Sequence, residues 1–307
     1  MNVFLWHLHG SWTTAFVQGR HRYLVPVLPS RGRFGLGRAG SWDWPDSVVE
    51  TTPAEAARAD VDAVILQRTE ELDGLAETWL GGRRPGLDLP AVFLEHNAPQ
   101  GRVNDVRHPA ADRRDLVVVH VTHFNRLFWD CGDTPTRVIE HGVVDPGHRY
   151  TGELARGVAA INEPTRRQRV VGLDVLERLR EAVPIDLFGM GTEAEVPQDR
   201  LHREMSRRRV YVHTCRWTSL GLSLIEAMHL GLPVVALATT EVPSAVPVGA
   251  GVVSNRLDDL AEALRWLVED PAAAHRMGGA GRAHVLQRFG LDRFLADWDR
   301  LLEEVAR

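Results

Sequence analysis

At 307 residues the chain has room for two domains of roughly 150 residues each, and a lone small module is excluded. Its hydrophobic (44%) and charged (25%) content is that of a globular protein and excludes long disordered or low-complexity stretches. The net charge of -5 offers nucleic acid no basic footprint, no apolar run nears the ~20 residues that span a bilayer, and two cysteines, Cys131 and Cys215, cannot build a disulfide framework.

The opening MNVFLWHLHG lacks a basic stretch and reads as a core strand rather than a leader, so a cytoplasmic protein without a transmembrane segment is expected. Continuous aliphatic and β-branched runs at 3–8, 23–28, 63–67, 91–96 and 116–122 predict buried parallel strands. Helical patterns fall between them at 54–59, 70–80 and 124–131. The second half repeats this grammar, with strands at 185–189, 210–214, 233–238 and 251–254 and helices at 176–182, 201–208, 219–230 and 257–268. Two more helices end the chain, broken near 288–292. The segment 145–163, with DPGHRYTGE and NEP, reads as an interdomain linker. Alternation of strand and helix predicts an α/β fold of two Rossmann-like, doubly wound domains. Their boundaries are 1–148 and 149–290, with a terminal helix at 291–307. Open sheets of this kind bind ligands beyond the carboxyl ends of their strands, in a cleft.

Three patterns mimic known sites. GLGRAG at 35–40 fits GxGxxG but has no strand directly before it and no helix after it, so it predicts a mobile Gly/Arg loop carrying Arg31, Arg33 and Arg38. Asp60-Val61-Asp62 precedes its strand, and Asp297-Trp298-Asp299 lies on a helix where positions two apart do not share a face. Neither suits a metal-diphosphate. His7 and His9 share a face at the first strand end, either as a polar pair lining the cleft or as two metal ligands. No third ligand is near, so no metal is expected. The chain has no lysine, so all 36 basic residues are arginines, and an anion clamp must use Arg, His or backbone amides.

The strongest chemical signal is TSLGLSLIEAM at 218–228, followed by GLPVVA. A strand runs through Cys215, Arg216 and Trp217 into a helix start where Thr218 or Ser219 can act as N-cap and Gly221 admits close backbone approach. Free amides at such a helix start suit a diphosphate. Glu226 lies one to two turns in, on a helix apolar nearly all round, where a carboxylate is costly without a partner. A ribose diol is one such partner, and a structural contact is the other.

This run resembles the signature of family-4 retaining glycosyltransferases, in which two glutamates separated by seven residues flank a Gly-rich turn, followed by Glu-Ala-Met and a Gly-x-Pro-Val-Val strand. The resemblance implies the GT-B fold, whose last helix crosses back to the first domain. Phe289, Phe294, Trp298, Leu301 and Leu302 supply an apolar stripe for that crossing. It implies a donor site in the second domain, with Glu226 on the ribose and Ser219, Leu220 and Gly221 giving amides to sugar and diphosphate. Thr218 stands where the family has its first Glu. IDLFGMGTE resembles the turn before the base pocket and implies Gly191 and Val196, within Glu195-Val196-Pro197, as base cradle. RVIEHGVVDPG resembles the exit from the first domain, with His141 in place of Asn. The phosphate clamp implied after the second domain's first strand falls on Arg166, Arg167 or Arg169, with Val171 where Lys is expected. In the first domain Gly10 and Ser11 imply a donor-facing loop, and His96 a group beside the transferring sugar. His7, His9, Asn97 and His123 remain acceptor-side candidates.

The implied reaction moves a sugar from a nucleotide-diphosphate sugar to a small-molecule, lipid or glycan acceptor, with retention, without metal and without a cofactor. Two alternatives stay open. One is a nucleotide-sugar 2-epimerase or sugar phosphorylase on the same fold. The other is a non-catalytic nucleotide-sugar binding protein.

Overall fold

A computed structural model of the chain describes residues 1–102 and 104–307. The chain divides into two compact units, Met1–Gly142 with Leu291–Arg307, and Val143–Gly290.

The first unit is a seven-stranded parallel sheet of β1 (Asn2–Leu5), β2 (Arg22–Pro26), β3 (Val48–Thr51), β4 (Ala63–Leu66), β5 (Ala91–Glu95), β6 (Val117–His120) and β7 (Thr136–Val138). Their order is β3-β2-β1-β4-β5-β6-β7, so the topology reverses at β1/β4. The connections carry α1 (Gly10–Phe16), α2 (Pro53–Ala56), α3 (Ala76–Trp79) and α4 (His123–Phe128). The central strands are Val-, Ile- and Leu-rich because both faces are covered. The helix expected over 70–80 is interrupted: Gly74 takes φ 120°, a π-turn fills Glu71–Leu75, and only α3 is regular. Strands β3 and β7 were not evident in the sequence.

The second unit is a five-stranded parallel sheet of β8 (Leu154–Ala160), β9 (Ile185–Phe188), β10 (Arg208–His213), β11 (Val234–Leu237) and β12 (Gly251–Ser254), ordered β12-β11-β10-β8-β9. Helices α5 (Pro164–Arg167), α6 (Leu173–Arg180), α7 (Gln198–Arg207), α8 (Leu222–Leu230), α9 (Val242–Ala245), α10 (Leu257–Glu269) and α11 (Pro271–Arg288) connect and flank the strands. Two expectations need correction here. The segment 145–163 is not a linker, because β8 runs through it, hydrogen-bonded between β9 and β10. The boundary is also not 148/149. Val143 N–H donates to Phe289 O, Val143 bridges Gly290, and its side chain lies in the second core.

Helix α12 (Leu291–Val305) belongs to the first unit. Trp298 is 1% exposed and meets Trp12, Phe16 and Phe294 edge-on. Arg293 donates to the carbonyls of Glu140 and His141, and a Cβ at Gly142 would lie 2.3 Å from Phe294 Cβ. Phe289 is not part of that stripe; it ends α11 and is buried in the second core. Among the described residues no helix is long and apolar enough to cross a membrane.

Candidate functional site

In the second unit, strand order reverses at β8/β10, and the loops leaving their carboxyl ends are tied together. Thr214 Oγ1 donates to Val171 O at 2.9 Å, and the Arg216 and Trp217 amides donate to Val170 O. Gly172, at φ 71°, cannot carry a side chain because a Cβ would fall 1.9 Å from Thr214 O. Val171 is fully buried within this junction and holds no position toward a ligand. Ligand crevices in open α/β sheets form at such reversals.

The turn 214–221 then feeds α8. The sequence expected Thr218 or Ser219 to cap a helix from 219. The helix instead begins at Leu222, with Gly221 as N-cap and no side-chain cap. Ser219 is buried and its carbonyl accepts from the Glu241 amide, which keeps the chain extended past it. Gly221 is required by packing, since a Cβ there would meet His213 Cε1 at 2.7 Å. His213 is buried, and burial holds its pKa down to about 4, so a neutral imidazole supports the turn. The amides of Leu222 and Ser223 precede the first intrahelical hydrogen bond and form the positive end of α8. Ser223 Oγ bonds Tyr211 Oη and Ala160 O, locking that first turn to β8 and β10.

The three candidate arginines separate clearly. Exposed Arg166 pairs with Glu163. Exposed Arg169 pairs with Asp174, which also takes both guanidinium nitrogens of Arg216. Arg167 is half-buried, makes no salt bridge among the described residues, and lies near enough to act on the Cys215 thiol. Burial pushes that thiol up to about 11, so Cys215 is no nucleophile at neutral pH.

Glu226 is 4% exposed. Its Oε2 lies 2.7 Å from Gln198 Nε2 and 3.3 Å from His202 Nε2, both on α7. Helix α7 follows Glu195-Val196-Pro197, so the fold brings Glu226 beside the expected base cradle. In that cradle Gly191 takes φ 71° and its amide bonds the Glu195 carboxylate, while Val196 is half-buried. Gln198 and His202 were missed in the sequence; their i, i+4 spacing on a helix was the available signal. Thr218 is half-buried within the turn.

The first unit has its own polar cluster beyond β1, β4 and β5. His96 follows β5, is 7% exposed, and its Nε2 lies 3.0 Å from Gln67 Oε1. The His9 ring lies tilted against it at 4.0 Å between ring centroids, and Trp12 meets it edge-on. Burial, reinforced by the Arg68 and His7 charges, holds His9 down to about 4. Burial likewise drives His141 down to about 3 and lowers His96. These imidazoles are therefore neutral donors and acceptors at pH 7. Arg68 and Glu71 form a buried pair behind them, and Gln67 donates to Trp6 O. His7 Nδ1 bonds Gly37 O. Gly10 and Ser11 open α1, with Trp42 covering Gly10. Asn97 and His123 are exposed, apart from this buried group.

The loop through 35–40 is pinned, not mobile. Arg31 pairs with Glu50, Arg33 with Glu70, and Arg38 donates to the Trp44, Pro45 and Val48 carbonyls. Asp62 accepts from the Asn2 amide at the amino edge of the sheet. Asp297 pairs with Arg293 and Arg300, and Asp299 with Arg20 and His21. Asp62 and both aspartates of the second pair thus have structural partners, and Asp60 is exposed.

Residues 194–284, which include α7, the 214–221 turn and α8, match the family model described as glycosyl transferases group 1. A trehalose synthase of Rubrobacter xylanophilus is 33% identical over 85 residues, 28% of this chain and 20% of that protein. A GDP-mannose-dependent monoacylated alpha-(1-6)-phosphatidylinositol monomannoside mannosyltransferase of Corynebacterium glutamicum is 40% identical over 68 residues, 22% of this chain and 18% of that protein. The chain thus matches a fifth or less of these curated relatives' length. Sucrose-phosphate synthase from Thermosynechococcus elongatus superimposes with TM-score 0.73 at 14% identity, over 99% of each chain. Anabaena HepE in complex with UDP and glucose gives 0.70 at 14%, over 99% of this chain and 100% of that one. The chain shares the GT-B fold of these solved structures, and its segment 194–284 is similar to the group 1 glycosyl transferases.

Proposed function

We propose that this protein is a glycosyltransferase that takes its sugar from a nucleotide-diphosphate donor held by the second unit. The carrying observation is that one sheet reversal holds three unlike groups: the free amides of α8, the guanidinium of Arg167, which makes no salt bridge among the described residues, and the buried carboxylate of Glu226 beside α7. The first two suit a diphosphate, and the third suits a ribose diol. In this reading Ser219, Leu220 and Gly221 face sugar and diphosphate, Thr218 sits near the sugar, and Gly191 and Val196 border the base. Gly10, Ser11 and His96 are the first unit's contribution toward the sugar, with His7, His9, Asn97 and His123 toward the acceptor.

Transfer proceeds with retention by front-face attack, the departing diphosphate taking the acceptor proton. Catalysis comes from positioning and from amides and Arg167 that stabilise the leaving charge. Because these groups balance that charge, no divalent metal is required. A binder without activity is favoured by Thr218 in place of Glu and by Val171 in place of Lys.

Titration calorimetry with UDP, GDP and ADP tests the reading together with Glu226→Gln. Gln keeps the shape but replaces an acceptor oxygen by a donor, so one ribose contact fails. Charge-assisted bonds contribute about 1.5–3 kcal/mol against about 1 for neutral ones, so a roughly tenfold weaker Kd is expected. Chelator should leave transfer unchanged. Equal affinity for wild type and variant would overturn the assignment. Donor altered without any acceptor would favour the epimerase.

A further inference from the structure

The contacts among Glu226, Gln198 and His202 do not all close by hydrogen-bond chemistry. Gln198 Nε2 lies 2.7 Å from Glu226 Oε2 and 2.9 Å from His202 Nε2, and His202 Nε2 lies 3.3 Å from the same Oε2. An amide nitrogen only donates, an ionised carboxylate only accepts, and each imidazole nitrogen does one or the other. With the His202 proton on Nε2, both nitrogens donate to Glu226, but an N–H then faces an NH2 across 2.9 Å. With the proton on Nδ1, Gln198 donates to both partners, and a bare lone pair faces the carboxylate at 3.3 Å. Turning the Gln198 amide over sets its oxygen against the carboxylate oxygen. With the carboxylate ionised, each of these arrangements leaves one repulsive contact. His202 is 8% and Glu226 4% exposed, so water screens it poorly.

A hydroxyl in place of the Gln198 amide removes the conflict, because it both donates and accepts. It donates to Glu226 Oε2 and accepts from His202 Nε2–H, and the imidazole N–H still faces the carboxylate favourably. Gln198 is half-buried and opens α7 directly after Pro197, so its side chain can swing to solvent without moving the helix. We infer that this triangle of side chains seats one ribose hydroxyl of the donor, with His202 as a second binding residue for it and Gln198 as a placeholder displaced on binding. The inference rests on the donor-site reading above and adds that donor binding is an exchange.

The test is calorimetric titration with whichever of UDP, GDP and ADP binds the wild type, and with its 2′,3′-dideoxy counterpart. Gln198→Ala removes the competitor and should tighten the ribose nucleotide about three- to tenfold while leaving the dideoxy form unchanged. His202→Phe should weaken the ribose form by a similar factor and spare the dideoxy form. The inference is overturned if Gln198→Ala weakens the ribose nucleotide, leaves it unchanged, or shifts both nucleotides alike. If the wild type binds none of the three diphosphates, the donor-site reading itself fails, a result read before any variant is made.

Discussion

Replacing Trp298 by alanine should lower the melting temperature of the first unit by roughly 6–12 °C. The side chain is 1% exposed, with ring centroids 5.7 Å from Trp12, 5.1 Å from Phe16 and 6.4 Å from Phe294. Truncating a buried aromatic to alanine costs about 3–5 kcal/mol through lost transfer energy and an uncollapsed cavity. Three edge-on pairs argue for the upper end. Against them, the indole Nε1 is buried without an acceptor among the described residues, and deleting it relieves about 1 kcal/mol. A net loss of about 3 kcal/mol remains, and a domain this size shifts about 2–4 °C per kcal/mol. Scanning calorimetry reads the unit's transition, and Arg300→Ala serves as control, since Arg300 makes only an exposed pair with Asp297. A Trp298→Ala protein melting within two degrees of wild type would refute the claim that α12 completes the first core.

Arg167→Ala should weaken nucleoside-diphosphate binding about tenfold by calorimetry, while Arg166→Ala, already paired with Glu163, should change it little; equal effects would remove Arg167 as the clamp. Stability should also fall with acid before the carboxylates titrate. His120 and His141 are buried with folded pKa values near 3, below the unfolded value of about 6.5. The unfolded chain therefore binds more protons below pH 6.5, so their contribution is full above that pH and is lost as pH falls toward 3. Each contributes a slope of about 1.4 kcal/mol per pH unit, and urea melts at pH 6.5, 5.5 and 4.5 that coincide would disprove it.

How far the sequence speaks depends on whether a residue's reason lies within its own element. Strands β5 and β6 are legible because burial on both faces demands branched and aliphatic side chains. Strand β8 hides for the opposite reason. Between β9 and β10, Gly157 leaves 3.2 Å from a would-be Cβ to both Ile185 and Val212, so the position selects smallness, and LARGVAA then resembles a linker. The Gly/Arg loop reads as mobile from composition, yet Glu50 and Glu70, each from a different segment, pin it. The site divides along the same line. A carboxylate inside an apolar helix announces that Glu226 needs a partner. What that partner is lies 28 and 24 residues away, in Gln198 and His202, at a distance no local period encodes. Arg166, Arg167 and Arg169 are equivalent as letters and differ only because the fold hands Glu163 to one and Asp174 to another. Chemistry that depends on a group being left without an internal partner is therefore written in the tertiary pairing of its neighbours, and sequence spacing can name the candidates but not choose among them.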